Sequence, residues 1–352
     1  MTTTLQLLAE KPNVPTTTAW YLADLGEARG KQELFTKQSP QRLKVLREHA
    51  LIESAISSNR IEGVTVDQSR VKAVVLGKSL LQDRDEEEVR GYRDALKLIH
   101  EQRSRLSISE KTIKDLHFIS RAKIGDAGKY KTKDSDIVEK FPDGRSRIRF
   151  KTVPAKQTAP FMRELVKAWS ETLDEKQIHP LVAMTALNLD FLCIHPFRDG
   201  NGRVSRLLLL LMSYQLGFEV GRYISLERLI EENKDRYYET LEESSQGWHN
   251  GKHDPWPFVN YLLFILKHAY REFEERVGHL SSPRGSKTEM IISAIDRAVG
   301  PFRVADIQIQ CPGVSLDMIR KVLKDRRAQV KCLGRGKDAK WEKTAKWQLG
   351  NN

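Results

Sequence analysis

The chain has 352 residues, 39% of them hydrophobic and 30% charged, and its formal net charge is +12. This composition is typical of a folded globular protein and excludes a disordered chain. The longest wholly apolar run, residues 207–212, is far shorter than the roughly 18 residues that a membrane span requires. The first basic residue, Lys11, follows the apolar positions of the N-terminus. A secretory signal has the opposite order, so we expect a cytoplasmic protein with no membrane partner.

Positive charge is concentrated near the C-terminus. Residues 281–352 contain 15 Lys and Arg against 7 Asp and Glu. A basic segment of this kind favours an anionic partner, most simply nucleic acid, although a solvated basic surface is an equally ordinary explanation. The three cysteines are far apart, and their spacing indicates neither a disulfide framework nor a metal site.

Apolar residues recur at helical spacing through most of residues 40–280, which predicts a mainly α fold. The predicted helices cover residues 41–62, 86–102, 111–123, 161–173, 179–194, 203–217, 235–247 and 256–277. Residues 136–152 interrupt this pattern, because Asp143-Gly144 lies between two short β-prone runs, and they predict a β-hairpin.

A turn-rich linker at residues 281–286 separates this helical region from the basic C-terminal segment. Beyond it the pattern predicts three helices, at residues 287–299, 304–310 and 316–329, and then a hairpin within residues 330–349. Helix, helix, turn, helix and hairpin is the order of a winged helix-turn-helix domain. We therefore expect residues 281–352 to form such a domain.

The segment HPFRDGNGRVSR, residues 195–206, combines several groups that suit phosphate chemistry. The glycines of Gly200-Asn201-Gly202 allow close approach of an anion to the amides at the start of a helix. Arg203 and Arg206 project from one side of that helix and offer planar forks for phosphate oxygens. Asp199 is an oxygen ligand suited to Mg²⁺, and His195 is suited to accept a proton from a hydroxyl.

This segment is similar, at every specified position, to the signature HxFx[D/E]GNGRxxR of the Fic (Fido) family. The resemblance implies a helical Fic core at residues 91–280 with a β-hairpin flap. It also implies adenylylation, the transfer of AMP from ATP to a Ser, Thr or Tyr hydroxyl of a target protein. In that reaction His195 would be the base and Asp199 would hold Mg²⁺.

The resemblance also implies residues that bind nucleotide and target. Asn201 and the amides of Gly200 and Gly202 would seat the phosphates, Arg203 would contact the inner phosphates and Arg206 the γ-phosphate. The flap would pair with the target segment by strand addition. The flap positions are Asp136, Ile137 and Val138. Three further positions lie where the family often lines its nucleotide pocket, although the two aromatic residues among them could equally belong to the core: Asn233, Tyr237 and Tyr238.

A second segment, SNRIEG, resembles the inhibitory pattern [S/T]xxxE[G/N] of the same family through Ser58, Glu62 and Gly63. It ends the predicted helix at about residues 42–62, within an N-terminal region that we place at residues 1–90. Glu62 could pair with Arg206 and make that fork unavailable for the γ-phosphate. The resemblance therefore predicts weak, self-inhibited activity.

Two other functions remain open. In some Fic proteins the inhibitory glutamate supports removal of AMP from a target. Alternatively, the chain could be a transcriptional regulator that senses nucleotide without catalysis. The sequence leaves the oligomeric state open, including a homodimer. If the C-terminal domain binds DNA, six basic residues are candidate contacts: Arg320, Lys321, Lys324, Arg327, Arg335 and Lys337.

Overall fold

The fold is known from a computed structural model of the chain. It describes residues 3–11, 13–36, 40–67, 70–77, 80–122, 124–140, 144–280, 286–298, 300–311, 314–334, 336, 339–344 and 347. The fold is mainly α, as the sequence predicts, with two small antiparallel sheets. The chain divides into two compact units. The first comprises residues 1–34 and 50–271, and the second comprises residues 35–49 and 272–352.

Twelve helices lie wholly or partly in the described residues of the first unit. They are α1 (Thr4–Glu10), α2 (Thr16–Thr36), α3 (Pro40–Ile61), α4 (Val71–Val75), α5 (Arg84–Gln102), α6 (Glu110–Ser120), α7 (Ala155–Glu175), α8 (Pro180–Ile194), α9 (Asn201–Gln215), α10 (Leu226–Glu232), α11 (Lys234–Ser245) and α12 (Trp256–Leu280). Strands β1 (Ile137–Lys140) and β2 (Ser146–Phe150) form an antiparallel hairpin, as predicted. The predicted helices are confirmed, whereas α1, α2, α4 and α10 were not predicted.

The core of this unit is built around α8 and α9. Residues 181–194 of α8 are all buried, as expected of a helix in the centre of a domain. It packs against α1, α7 and α9, and α9 also contacts α5 and α6. The segment between the two helices, residues 195–200, is therefore held on both sides by buried structure.

One glycine sets the close approach of α5 and α6. A Cβ atom at Gly91 would lie 2.6 Å from the carbonyl oxygen of Ile119. The absence of a side chain therefore allows the two helices to pack closely. Each begins with a capped N-terminus, since Asp83 accepts from the amide of Glu86 and Ser109 accepts from the amide of Thr112.

Helix α1 is joined to the core through a buried carboxylate. Its first turn is capped by Thr3, and the amide of Thr4 donates to Asp190 on α8 at 2.9 and 3.1 Å. Trp248 donates to the same carboxylate at 2.7 Å. Burial raises the pKa of Asp190 to about 6, partly offset by these donors. The N-terminal residues are thus part of the first unit.

The second unit contains the predicted succession of three helices and a hairpin. Its elements are α13 (Ser286–Arg297), β3 (Phe302–Arg303), α14 (Val304–Gln310), α15 (Leu316–Asp325), β4 (Val330–Cys332) and β5 (Lys340–Lys343). The short strand β3 was not predicted, and it pairs with β5 to give a sheet of order β3-β5-β4. Helices α13, α14 and α15 bury a separate hydrophobic cluster that includes Ile295, Ile307 and Leu323.

No helix in the described part of the chain is long and apolar enough to cross a membrane.

Candidate active site

The segment between α8 and α9 forms a tight loop that is closed by its own side chains. His195 caps the end of α8 in a left-handed conformation, with φ of 52°, and its backbone amide donates to the carbonyl of Phe191 at 3.0 Å. Asn201 accepts from the amide of Phe197 at 2.9 Å and donates to the Phe197 carbonyl at 2.7 Å. The Asn201 side chain therefore holds the loop together. These two bonds engage its Oδ1 atom and one of the two Nδ2 hydrogens.

A buried histidine supports this loop from α6. The ring of His117 stacks on Phe197 at 3.7 Å, and Phe197 is completely buried. His117 accepts from the amide of Gly128 at its Nδ1 atom, at 2.8 Å, so its proton lies on Nε2, which donates to the Asp199 carbonyl at 2.9 Å. Burial lowers the pKa of His117 to about 4, so the ring stays neutral in this role.

The carboxylate of Asp199 faces solvent on one side and an arginine on the other. Its Oδ1 atom accepts from the amide of Gly200 at 2.6 Å, and its Oδ2 atom lies 2.8 Å from Nη1 of Arg121. Burial would raise the pKa of Asp199, but Arg121 and Arg203 outweigh burial and lower it. The Asp199 side chain is 53% exposed.

This carboxylate fits the prediction of an Mg²⁺ ligand. It is ionised and half exposed, and it lies beside the start of α9. Among the described residues no group of three or more His, Cys, Asp or Glu could hold a metal ion by itself. A cation at Asp199 would therefore need further oxygen ligands from a phosphate, which is the usual arrangement for Mg²⁺ bound with a nucleotide.

Arg203 belongs to a buried network of charges that sequence reasoning missed. Its guanidinium forms an ion pair with Glu88 on α5, and it donates to the side chain of Asn59 at 3.2 Å. Arg121 contacts the same carboxylate at 2.6 Å. Glu88 thus joins two arginines, both nearly inaccessible to solvent. The side chain of Arg203 is only 1% exposed, and the structure places it in this network.

Arg206 contacts the residues of the second motif, as predicted. Its Nη2 atom donates to Glu62 at 2.7 Å and to the carbonyl of Ser58 at 2.9 Å, and its Nε atom donates to the Ser58 hydroxyl at 2.8 Å. The Glu62 carboxylate lies directly over the start of α9, since a Cβ atom at Gly202 would be 2.3 Å from Oε1 of Glu62. Gly63 follows with φ of 83°, a conformation that favours glycine.

His195, Glu62 and Arg206 line one cavity of about 220 Å³. Its walls come from α8, α9, α11, the hairpin and the segment after α3. The lining residues are Glu62, Ile137, Arg149, Phe150, Leu192, Cys193, His195, Gly202, Arg206, Tyr237, Tyr238, Leu241, Glu242 and Ser245. Three sequence predictions therefore meet at one place: the base, the arginine with its glutamate, and the aromatic pair. Asn233 is not among the lining residues; it donates to the carbonyl of Leu229 at 2.9 Å.

The hairpin covers this cavity and is joined to α11. Ile137 and Val138 lie in β1, and Asp136, just before it, accepts from the amide of Thr152 at 3.3 Å. Arg147 and Arg149 of β2 each contact a different oxygen of Glu242, at 2.9 and 2.8 Å. Exposed positions on the hairpin include Val138, at 47%.

Four of the six basic residues named as candidate DNA contacts are described. Arg320, Lys321 and Lys324 are exposed on α15, and Arg327 is exposed in the turn that follows. Arg335 and Lys337 lie outside the described residues.

Comparison with known proteins identifies part of the chain. Residues 107–213 match the sequence profile of the Fic/DOC family. The chain contains a Fic/DOC domain. This stretch covers α6 to most of α9, together with the hairpin, and includes the loop at residues 195–200.

Curated relatives are similar to the chain over a longer stretch. The chain is 27% identical over 226 residues to protein adenylyltransferase Fic of Nematostella vectensis, which covers 60% of this chain and 46% of that protein. It is also 27% identical over 234 residues to protein adenylyltransferase fic-1 of Caenorhabditis elegans, covering 63% and 40%. The chain thus spans less than half the length of these two relatives.

Solved structures share the fold. A Fic family protein from Desulfovibrio desulfuricans is 22% identical with a TM-score of 0.61, covering 95% of this chain and 97% of that one. Residues 134–508 of Fic-1 from C. elegans are 20% identical with a TM-score of 0.58, covering 79% and 82%. At this level of identity the similarity shows the fold alone.

Proposed function

We propose that the chain is a self-inhibited protein adenylyltransferase that transfers AMP from ATP to a hydroxyl side chain of a protein. The observation that carries this proposal is the ion pair between Glu62 and Arg206, which lies in the same cavity as His195. The curated relatives are named protein adenylyltransferases, which supports the same reaction for this chain.

The reaction needs a base, a phosphate site and a leaving group. Burial, with the charge of Lys131, lowers the pKa of His195 to about 4, so its imidazole is neutral at pH 7 and can accept the proton of a Ser, Thr or Tyr hydroxyl. The hydroxyl oxygen bonds to the α-phosphorus of ATP while the bond to the β-phosphate oxygen breaks, and pyrophosphate leaves. Amides at the start of α9 would face the phosphates. Mg²⁺ held at Asp199 would neutralise phosphate charge.

The inhibition follows from the hydrogen bonds that Arg206 already makes to Glu62 and Ser58. Its Nη2 and Nε atoms are used by Glu62 and Ser58, and its buried Nη1 atom has no hydrogen-bond partner among the described residues. A terminal phosphate would satisfy that orphaned donor, but the negative Glu62 carboxylate lies beside it and repels phosphate charge. ATP would then bind with its α-phosphate misplaced for attack.

The test compares matched alanine variants of two glutamates near α3. Glu62→Ala should increase incorporation of label from α-³²P-ATP into protein roughly tenfold or more, the effect of removing about 1.4 kcal/mol of barrier. Glu48→Ala, at an exposed position on α3, should leave the rate unchanged. His195→Ala added to Glu62→Ala should abolish incorporation. Equal rates for the native chain and Glu62→Ala would contradict the inhibition.

A second candidate reaction is removal of AMP from a modified protein. It is favoured by the position of Glu62, whose carboxylate lines the cavity with His195 and could orient a water molecule there. A protein labelled by the Glu62→Ala chain provides the substrate. Release of AMP by the native chain, and not by Glu62→Ala, would support this reaction. Nucleotide binding with neither reaction would instead favour a nucleotide-sensing regulator.

For the second unit we propose a winged helix-turn-helix domain that binds DNA through α15. The support is the order of its elements and the exposure of its basic residues on that helix. Binding of the full chain to duplex DNA should weaken steeply as salt rises. Lys321→Glu with Lys324→Glu should abolish it. Binding that persists in this variant would remove α15 from the interface.

A further inference from the structure

Lys131 is a buried cation whose polar contacts are to neutral groups. Its side chain lies in the interior, and its ammonium donates to the Thr152 hydroxyl at 2.6 Å and towards the Ile194 carbonyl at 3.4 Å. Among the described residues no carboxylate forms an ion pair with it; Asp134 and Asp136 act on it only from a distance. Burial lowers the pKa of Lys131 to about 8. Burial of a cation without an ion pair is costly, so a compensating role is expected.

The contacts of Lys131 lie on both sides of His195. Its ammonium reaches the carbonyl before His195, and its backbone amide donates to the carbonyl after it, that of Pro196, at 2.8 Å. His195 itself has a left-handed backbone, which an L-residue other than glycine adopts only with strain. A strained residue of this kind persists only where its surroundings hold it in place. Lys131 provides two of those restraints.

The ammonium of Lys131 also acts on the imidazole through its charge. Burial is the main cause of the lowered pKa of His195, and Lys131 is the next. The Leu192 carbonyl and the carboxylates of Glu62 and Asp199 act in the opposite direction. A positive charge beside an imidazole disfavours its protonated form.

We propose that Lys131 is a positioning residue for His195: it holds the left-handed turn from both sides, and its charge adds to burial in opposing protonation of the imidazole. This assignment of a role to Lys131 rests on the proposed function of His195 as the base. The positioning itself is a property of the folded chain, and it can be measured without substrate.

The first measurement is the titration of His195 in the full chain, followed by NMR of ¹³Cε1-labelled histidine, with His195→Ala to assign the signal. In the native chain the His195 signal should stay that of neutral imidazole down to about pH 5. In Lys131→Met and Lys131→Gln the signal should titrate at a pH higher by about one unit, the size typical of one neighbouring charge. Lys131→Arg, which keeps the charge, should behave as the native chain. Lys133→Met removes an exposed lysine two positions away and should also change nothing.

The second measurement is the pH dependence of AMP transfer in the Glu62→Ala background. The acid limb of the profile should lie well below pH 6.5 with Lys131 present and move to higher pH in Lys131→Met. A merely structural role would lower the rate at all pH values without moving the limb. If both neutral variants fail to fold, the position of the limb with Lys131 intact still decides, because a limb at or above pH 6.5 would overturn the proposal.

The two measurements separate this proposal from the function on which it rests. A shifted NMR titration without any AMP transfer would support the role of Lys131 and refute the adenylyltransferase. Active transfer with an unshifted titration in folded Lys131→Met would overturn the role of Lys131 alone.

Discussion

Replacing Glu88 with glutamine tests the buried network behind the active-site loop. The Glu88 carboxylate forms ion pairs with Arg121 and Arg203, whose side chains are 7% and 1% exposed. It also forms an ion pair with the exposed Arg84 at 2.9 Å. Glutamine has the same size but no charge, so Arg121 keeps its ion pair with Asp199 at 2.8 Å, whereas the buried Arg203 guanidinium keeps a carboxylate only at 3.8 Å, that of Asp199. Breaking a buried ion pair by removing one partner costs about 3–5 kcal/mol. Because the glutamine amide keeps one oxygen acceptor, we expect the free energy of unfolding to fall by about 3 kcal/mol, the lower end of this range.

The assay is urea unfolding of the full chain at pH 7, followed by circular dichroism. Glu101→Gln is the matched control, because it lies on the same helix and pairs with Lys97 at 3.8 Å in a solvent-exposed position. An exposed pair contributes less than about 1 kcal/mol, so the control should be nearly neutral. If Glu88→Gln costs no more than Glu101→Gln, the reasoning that the two buried arginines depend on Glu88 is wrong.

Three further predictions concern acid stability, the contact over α9 and the hairpin. In a urea series the free energy of unfolding should fall as the pH drops from 6.5 to 4, because burial lowers three histidine pKa values to about 4 and the unfolded chain therefore binds protons first. Each histidine contributes on the order of 1–3 kcal/mol, whereas Asp190 acts in the opposite direction. A free energy of unfolding that stays constant over this pH range would contradict the prediction. The histidines are His117, His195 and His253. Gly202→Ala should destabilise the native chain by about 1–2 kcal/mol more than it destabilises Glu62→Ala, since its Cβ would meet the Glu62 carboxylate; additive effects in this double-mutant cycle would refute the contact. Glu242→Gln should speed hydrogen exchange of β2 amides while costing less than about 1 kcal/mol, and unchanged exchange would show that Glu242 does not hold the hairpin.

The chemistry of the loop was readable from the sequence because its groups are close together along the chain. A base, a carboxylate, a glycine pair and the arginines at 203 and 206, all within residues 195–206, indicate phosphate chemistry before any fold is known. The eight predicted helices of the first unit were readable for the same reason, since a buried face repeats with the period of the helix. The contact of Glu62 with Arg206 was predicted from a resemblance between short motifs, and the structure confirms the contact.

The support behind the loop was decided by the tertiary structure alone. His117, Arg121 and Lys131 lie more than 60 residues before His195, and Glu88 lies earlier still. The spacing of His117 and Arg121, the residue that follows α6, places them on one side of the helix end, but it does not show which loop that side meets. Asn201 likewise has the residue type of a phosphate ligand, yet its amide closes the loop on Phe197. Local sequence determines which groups are present and the period of each helix, whereas the burial of α8 and α9 against distant helices determines which charges become neighbours.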